Sequence, residues 1–142
     1  MTYSTEFSIN LIPHGSVSPH IKITVGDYYR EMYLENPLLL SFSMDFDSGP
    51  QKFILEFDNK VNDSAVEIDS VEFEGMTLDR FKWSSRYYPV YPEPWASEQL
   101  LPLPEYQESA TYLGWNGRWE LYFETPIFTW IHRLENLGWI YN

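Results

Sequence analysis

The chain contains no cysteine, so neither a disulfide framework nor a thiolate metal site is open to it. It is also short of positive charge. Nine Lys and Arg stand against 21 Asp and Glu, giving a formal charge of −12 over 142 residues. An acidic balance of that size repels nucleic acid and anionic membrane, and it favours cations, basic protein surfaces or neutral ligands. No apolar run approaches the roughly 20 residues that a bilayer span needs. The segment from Met1 to Glu6 shows no basic stretch leading into an apolar one. These absences predict a soluble protein made in the cytosol, with no nucleic-acid or membrane partner. Catalytic signatures are missing too: there is no glycine-rich phosphate loop, no His-Glu-x-x-His and no Gly-x-Ser-x-Gly elbow.

What is present is a clear strand pattern in the first half. Phe7, Ile9 and Leu11 alternate with Ser8 and Asn10. Ile21, Ile23 and Val25 alternate with Lys22 and Thr24. Leu38, Leu40, Phe42, Met44 and Phe46 alternate with Ser41, Ser43 and Asp45. A period of two marks half-buried antiparallel strands. Ser48-Gly49-Pro50 supplies a turn into Phe53–Phe57. Between Val66 and Phe73 the alternation slips by one near Asp69-Ser70, which predicts a β-bulge that returns the apolar side to the core. Glu74-Gly75 then reads as a tight turn into Met76.

The second half is aromatic. All six tryptophans fall between Trp83 and Trp139. Five prolines (Pro89, Pro92, Pro94, Pro102 and Pro104) deny this stretch a central strand, which predicts an extended loop over residues 84–110. Asn116-Gly117 predicts a two-residue hairpin turn that pairs Trp115 with Arg118 and Gly114 with Trp119. Arg118 would then stack on Trp115. A closing helix is expected over residues 126–137, with Thr125 as N-cap, Pro126 at the first position and Gly138 as the stop. Ile127, Trp130, Ile131, Leu134 and Leu137 form its apolar stripe. The tail Trp139–Asn142 is apolar and is expected to dock. The whole chain reads as one domain, residues 1–142.

Few residues offer chemistry. His14 and His20 bracket a serine-bearing loop, where a solvated or structural role competes with a nucleophile system. The acid pairs Asp45/Asp47, Glu67/Asp69 and Glu72/Glu74 each sit two residues apart, the pattern of a solvated sheet face. Glycosidic cleavage needs carboxylates that oppose each other across a cleft. The loop Asp58–Ser64 gathers Asp58, Asn59, Asn62 and Asp63, either as a calcium site or as a polar turn. Trp119 and Trp130 fit core packing. Trp83, Tyr87, Tyr88, Tyr91, Trp95 and Trp115, with Arg118, are the candidate binding residues. Flat exposed rings suit sugar faces and protein contacts alike.

From Phe46-Asp47-Ser48-Gly49-Pro50 through Phe53-Ile54-Leu55-Glu56-Phe57-Asp58-Asn59 to Val66-Glu67-Ile68-Asp69-Ser70-Val71-Glu72-Phe73-Glu74-Gly75, residues 38–78 resemble part of a known family. It is the calcium-dependent, xylan-binding type of carbohydrate-binding module, a jelly-roll β-sandwich. The resemblance implies calcium ligation by Asp58 and Asn59. The Tyr-Pro-rich loop, Leu113-Gly114-Trp115-Asn116-Gly117 and the short helix also look like small structural proteins of tailed bacteriophages. The expectation is an all-β antiparallel jelly-roll β-sandwich with one short C-terminal helix. Its expected role is non-enzymatic binding or assembly in a virion (decoration, neck or tail), with other virion proteins or itself as partner. The alternative is a carbohydrate-binding module that takes a glycan on its exposed aromatics, with or without calcium.

Overall fold

The computed structural model describes residues 2–134. In chain order the elements are β1 (Thr2–His14), β2 (His20–Val25), β3 (Tyr28–Tyr33), β4 (Leu38–Asp47), β5 (Gly49–Phe57), β6 (Ala65–Phe73) and β7 (Met76–Thr77). There follow α1 (Asp79–Trp83), β8 (Ser85–Pro89), a single 3-10 turn (Ala96–Glu98), β9 (Gln107–Glu108), β10 (Tyr112–Leu113), β11 (Gly117–Thr125) and α2 (Ile127–Leu134). One sheet has the order β10-β6-β1-β4, with β7 also paired to β6; the other has the order β3-β2-β5-β11-β8-β9. Every pairing is antiparallel. The two sheets face each other as a jelly-roll sandwich, and α2 follows at the C-terminal side. Among the described residues no helix is long and apolar enough to cross a membrane.

The alternation read from the sequence becomes the core. Phe7, Ile9 and Leu11 of β1 face Ile21, Ile23, Val25, Phe53, Leu55 and Phe57 of the other sheet, all buried. Phe7 joins the layers. Its ring lies 4.9 Å from Phe42 and 5.5 Å from Phe73 in its own sheet, and 5.5 Å from Phe123 and 6.4 Å from Phe53 in the opposite one. Ring pairs at such spacings add attraction beyond the area they bury.

The bulge is present. Asn10 pairs with Ser70 and Leu11 with Ile68, so Asp69 is the extra residue. Val66, Ile68, Val71 and Phe73 all reach the core across it. Glu74 and Gly75 both take positive φ, at 50° and 80°, and close the turn between β6 and β7.

Three expectations are corrected and one strand is added. Asn116-Gly117 does not close a two-residue hairpin. β10 pairs with β6, whereas β11 runs in the other sheet between β5 and β8, so the turn carries the chain from one sheet to the other. The span 84–110 is not loop throughout, because β8 and β9 lie within it; β8 ends at Pro89, where the prolines begin. Thr125 does not cap α2. It is the last residue of β11, and its hydroxyl donates to the Asp47 carbonyl. β3, absent from the sequence reading, pairs along β2 after a turn at Gly26, whose φ is +57°. Ile127, Trp130 and Ile131 form the buried side of α2. Leu137, the stop at Gly138 and the tail Trp139–Asn142 lie outside the described residues.

Two stability predictions follow from the core. Phe7→Ala removes the ring that joins the layers and should cost about 3–5 kcal/mol in urea unfolding. The Thr5 hydroxyl is fully buried without a hydrogen-bond partner. Thr5→Val keeps the shape and discards the orphaned group, so it should raise stability by about 1 kcal/mol. A loss of that size would show that the hydroxyl is satisfied.

Candidate functional site

The outward side of the six-stranded sheet carries the candidate site. Register places Lys22 beside Glu56, Glu56 beside Arg118, and Arg118 beside Tyr88. The next row runs Thr24, Ile54, Glu120, Arg86. An open groove of about 410 Å³ lies over the first row. Glu56, Asp58, Tyr88, Val90, Asn116 and Arg118 line it.

Arg118 is held by a ring and a carboxylate. Its guanidinium carbon stands 4.0 Å above the Tyr88 ring, and its Nε donates to Glu120 Oε2 at 2.6 Å. The expected stack on Trp115 does not form, because the expected hairpin does not. Tyr88 also meets Tyr106 at 5.5 Å, and the Arg86 guanidinium stands 4.5 Å over Tyr106. Behind these rings Glu120 is only 4% exposed. The Tyr122 hydroxyl donates to its Oε1 at 2.6 Å, and Lys52 Nζ lies 3.4 Å from the same oxygen. Burial alone would push the Glu120 carboxyl up. The hydrogen bonds from Tyr122 and Arg118, with the charges of Lys52 and Arg118, outweigh burial and hold it below the usual carboxylate range. Burial, followed by donation to Glu120, drives the Tyr122 phenol upward.

The sequence-predicted residues divide among several places. Tyr88, Arg118 and Asp58 meet at the groove. Tyr87 does not reach the surface. It is 1% exposed, its hydroxyl donates to the Trp115 carbonyl, and its oxygen accepts from the Trp115 amide at 3.0 Å. Burial pushes its phenol up to about 12. Tyr91, Trp95 and Trp115 pack on one another with centroids 5.3–6.1 Å apart. The Tyr91 hydroxyl donates to the Pro104 carbonyl at 2.8 Å, so this trio pins the proline loop. Trp95 keeps 39% exposure. Trp83 ends α1 and lines a different hollow with Arg80 and Leu134.

The predicted calcium residues form a hydrogen-bonded clasp. Asp58 faces His20 Nδ1 at 2.8 Å and Lys22 Nζ at 3.4 Å. Asn59 Oδ1 accepts from the His20 amide, and its Nδ2 donates to the Ser18 carbonyl. Asp63 accepts from the Ser16 amide, and Asn62 occupies the turn with φ of +49°. Oxygens engaged in this way do not fit a calcium cage, which needs several turned toward one ion. Among the described residues no group of three His, Asp or Glu is placed to hold a metal.

Both loop histidines meet carboxylates, His14 with Glu67 and His20 with Asp58. The acid pairs lie along the open face of the five-stranded sheet: Glu72 accepts from Ser8, Asp69 from Asn10, and Glu74 from the Glu6 amide. Sequence reasoning missed Glu120, Tyr122, Arg86 and Tyr106. The alternation of Arg118, Glu120 and Tyr122 with Trp119, Leu121 and Phe123 was the available signal for the first two.

No protein-family model and no curated protein matches this chain. Solved structures do. A selenomethionine form of vCBM60, from work on calcium-dependent carbohydrate-binding modules, matches with a TM-score of 0.52 and 13% identity. The match covers 82% of this chain and 89% of that one. vCBM60 in complex with galactobiose gives 0.48 and 13%, over 82% and 96%. At this identity the first match establishes a shared sandwich fold.

The buried acid makes the site sensitive to pH. The folded-state carboxyl of Glu120 lies below the unfolded value of roughly 4.3. Its stabilisation is therefore complete above that value and is lost as pH falls through the lower folded one. Glu120→Gln should lower Tm near neutrality, and the gap to wild type should close as pH falls below the unfolded carboxylate value and through the lower folded one. A gap that is constant with pH would remove Glu120 from the account.

Proposed function

We propose that this chain is a non-catalytic carbohydrate-binding module whose ligand lies on the outward side of the six-stranded sheet. One observation carries the reading: the Arg118 guanidinium carbon stands 4.0 Å over the Tyr88 ring in a groove also lined by Glu56, Asp58 and Asn116. Sugars present apolar ring faces and hydroxyls that both donate and accept. A ring with a fixed cation over it and carboxylates nearby offers an apolar surface and polar partners together. Arg118 spends its Nε on Glu120, which orients the outer edge of the fork toward a ligand. The fold shared with vCBM60, a carbohydrate-binding module, supports the same class.

The comparisons favour the glycan reading over assembly in a virion and bring nothing to the latter. Recovery of the chain from purified phage particles would restore it.

Affinity electrophoresis against neutral polysaccharides, followed by calorimetry on those retained, tests the proposal. Tyr88→Ala and Arg118→Ala should each weaken binding at least about tenfold, or roughly 1.4 kcal/mol. The circular dichroism spectrum should stay unchanged. Because His20, Lys22 and backbone amides engage the Asp58, Asn59 and Asp63 oxygens, binding should survive a chelator. Unaltered affinity in both variants would refute the site.

A further inference from the structure

The aromatic rings most open to solvent on this sheet stand away from the groove. Among the described strands β3 is a free edge of the six-stranded sheet. It carries Tyr29 at 58% exposure and Tyr33 at 63%. Tyr29 pairs with Thr24 and Tyr33 with His20, so both rings share the outward side with Lys22, Glu56, Arg118 and Tyr88. Four residues apart on one strand, they stand about 13 Å from each other. From β3 to β8 there are four strand spacings, about 19 Å at 4.8 Å each. The rings therefore mark two ends of one surface.

The ends are physically connected. The Tyr33 ring lies 4.9 Å from His20, His20 Nδ1 meets Asp58 at 2.8 Å, and Asp58 edges the groove. The surface between carries Thr24, Ile54, Glu56 and the Asp58-bound Lys22, with Glu31 between the two tyrosines. The cations on this side, Lys22, Lys52, Arg86 and Arg118, are matched by as many carboxylates, Glu31, Glu56, Asp58 and Glu120. No uncompensated positive charge remains among these groups to draw an anionic ligand, and the molecule as a whole carries −12.

We propose that this side of the sheet is one extended platform, with Tyr29 and Tyr33 as a second subsite, which takes an internal stretch of an uncharged polysaccharide laid across the strands. The proposal rests on the glycan reading above and extends it. A single terminal sugar would occupy the Tyr88–Arg118 groove and leave the β3 tyrosines unused. A chain long enough to cross four strand spacings meets both.

The test is calorimetry with xylo-, gluco- and galacto-oligosaccharides from disaccharide to hexasaccharide, with polygalacturonate as the anionic arm. In the series that binds, affinity should climb with length. The Tyr29→Ala/Tyr33→Ala double variant should lose at least about tenfold, or roughly 1.4 kcal/mol, on the longest ligand and nothing on the shortest that binds. Tyr29→Phe/Tyr33→Phe, which keeps both rings, should bind as wild type. Tyr88→Ala should weaken every length. Equal affinity for short and long ligands, or a double variant that behaves as wild type, overturns the second subsite and leaves the groove standing. Preference for polygalacturonate overturns the neutral ligand class. Failure of every oligosaccharide to bind sinks the glycan reading and this inference together.

Discussion

The structure depends on the side-chain alternation of β11. This strand runs inside the six-stranded sheet, paired with β5 on one side and β8 on the other. Trp119, Leu121 and Phe123 enter the core at 0–1% exposure, while Arg118, Glu120 and Tyr122 take the opposite side. A slip of one residue would exchange the two sets and destroy core and site together. Two contacts hold the register. At the start, a Cβ on Gly117 would come 2.3 Å from the Tyr88 carbonyl oxygen, so only glycine fits between β5 and β8 there. At the end, the Thr125 hydroxyl ties the strand to Asp47 of the other sheet.

The same alternation creates an electrostatic obligation. Glu120 lies on the outward side yet is almost wholly covered, because Tyr122 and Arg118 fold over it. An unpaired carboxylate there would be costly. With two hydrogen bonds and Lys52 nearby, it becomes instead the anchor that fixes the Arg118 guanidinium against Tyr88. The opposite sheet differs in kind. Its strands β1, β4, β6, β7 and β10 contain no Lys or Arg at all. The acids on it are solvated or hydrogen-bonded to serine, asparagine, His14 and backbone. The chain's acidity is thus concentrated away from the groove, and the groove side is locally balanced.

Much of this was legible in the sequence wherever a pattern reported burial directly. The strand alternation gave the core, and the slip at Asp69-Ser70 gave the bulge because a broken period leaves only one way to keep Val71 and Phe73 inside. Asn116-Gly117 misled because it is a local signal. Asn116 is occupied elsewhere: its Oδ1 accepts from the Lys60 amide at 2.7 Å and its carbonyl from the Val90 amide at 2.6 Å. Burying Trp119 between β5 and β8, with its Nε1 donating to the Ala110 carbonyl, decides the path of the chain. β3 was missed because its residues are mostly exposed, leaving no apolar alternation to detect; Gly26-Asp27 was the available turn signal. Tyr88, Arg118 and Asp58 could be named as candidates from residue type. Their meeting could not, since it depends on the pairing of β8 with β11 and of β2 with β5.

The aromatic supply of the second half therefore serves two different ends. Proline removes the amide donors through which a strand would be held, so the segment after Pro89 needs another means of attachment. Rings provide it. Tyr91, Trp95 and Trp115 pack on each other, Tyr91 holds the Pro104 carbonyl, and buried Tyr87 grips the backbone of Trp115 on both its amide and its carbonyl. Asn116 and Val90, which border the groove, are direct neighbours of the residues so fastened. Most of the tryptophan and tyrosine of this loop thus acts at one remove, by holding the wall of a groove that Tyr88 lines. The density of aromatics measures how much of the loop had to be secured without strand hydrogen bonds, and it does not count subsites.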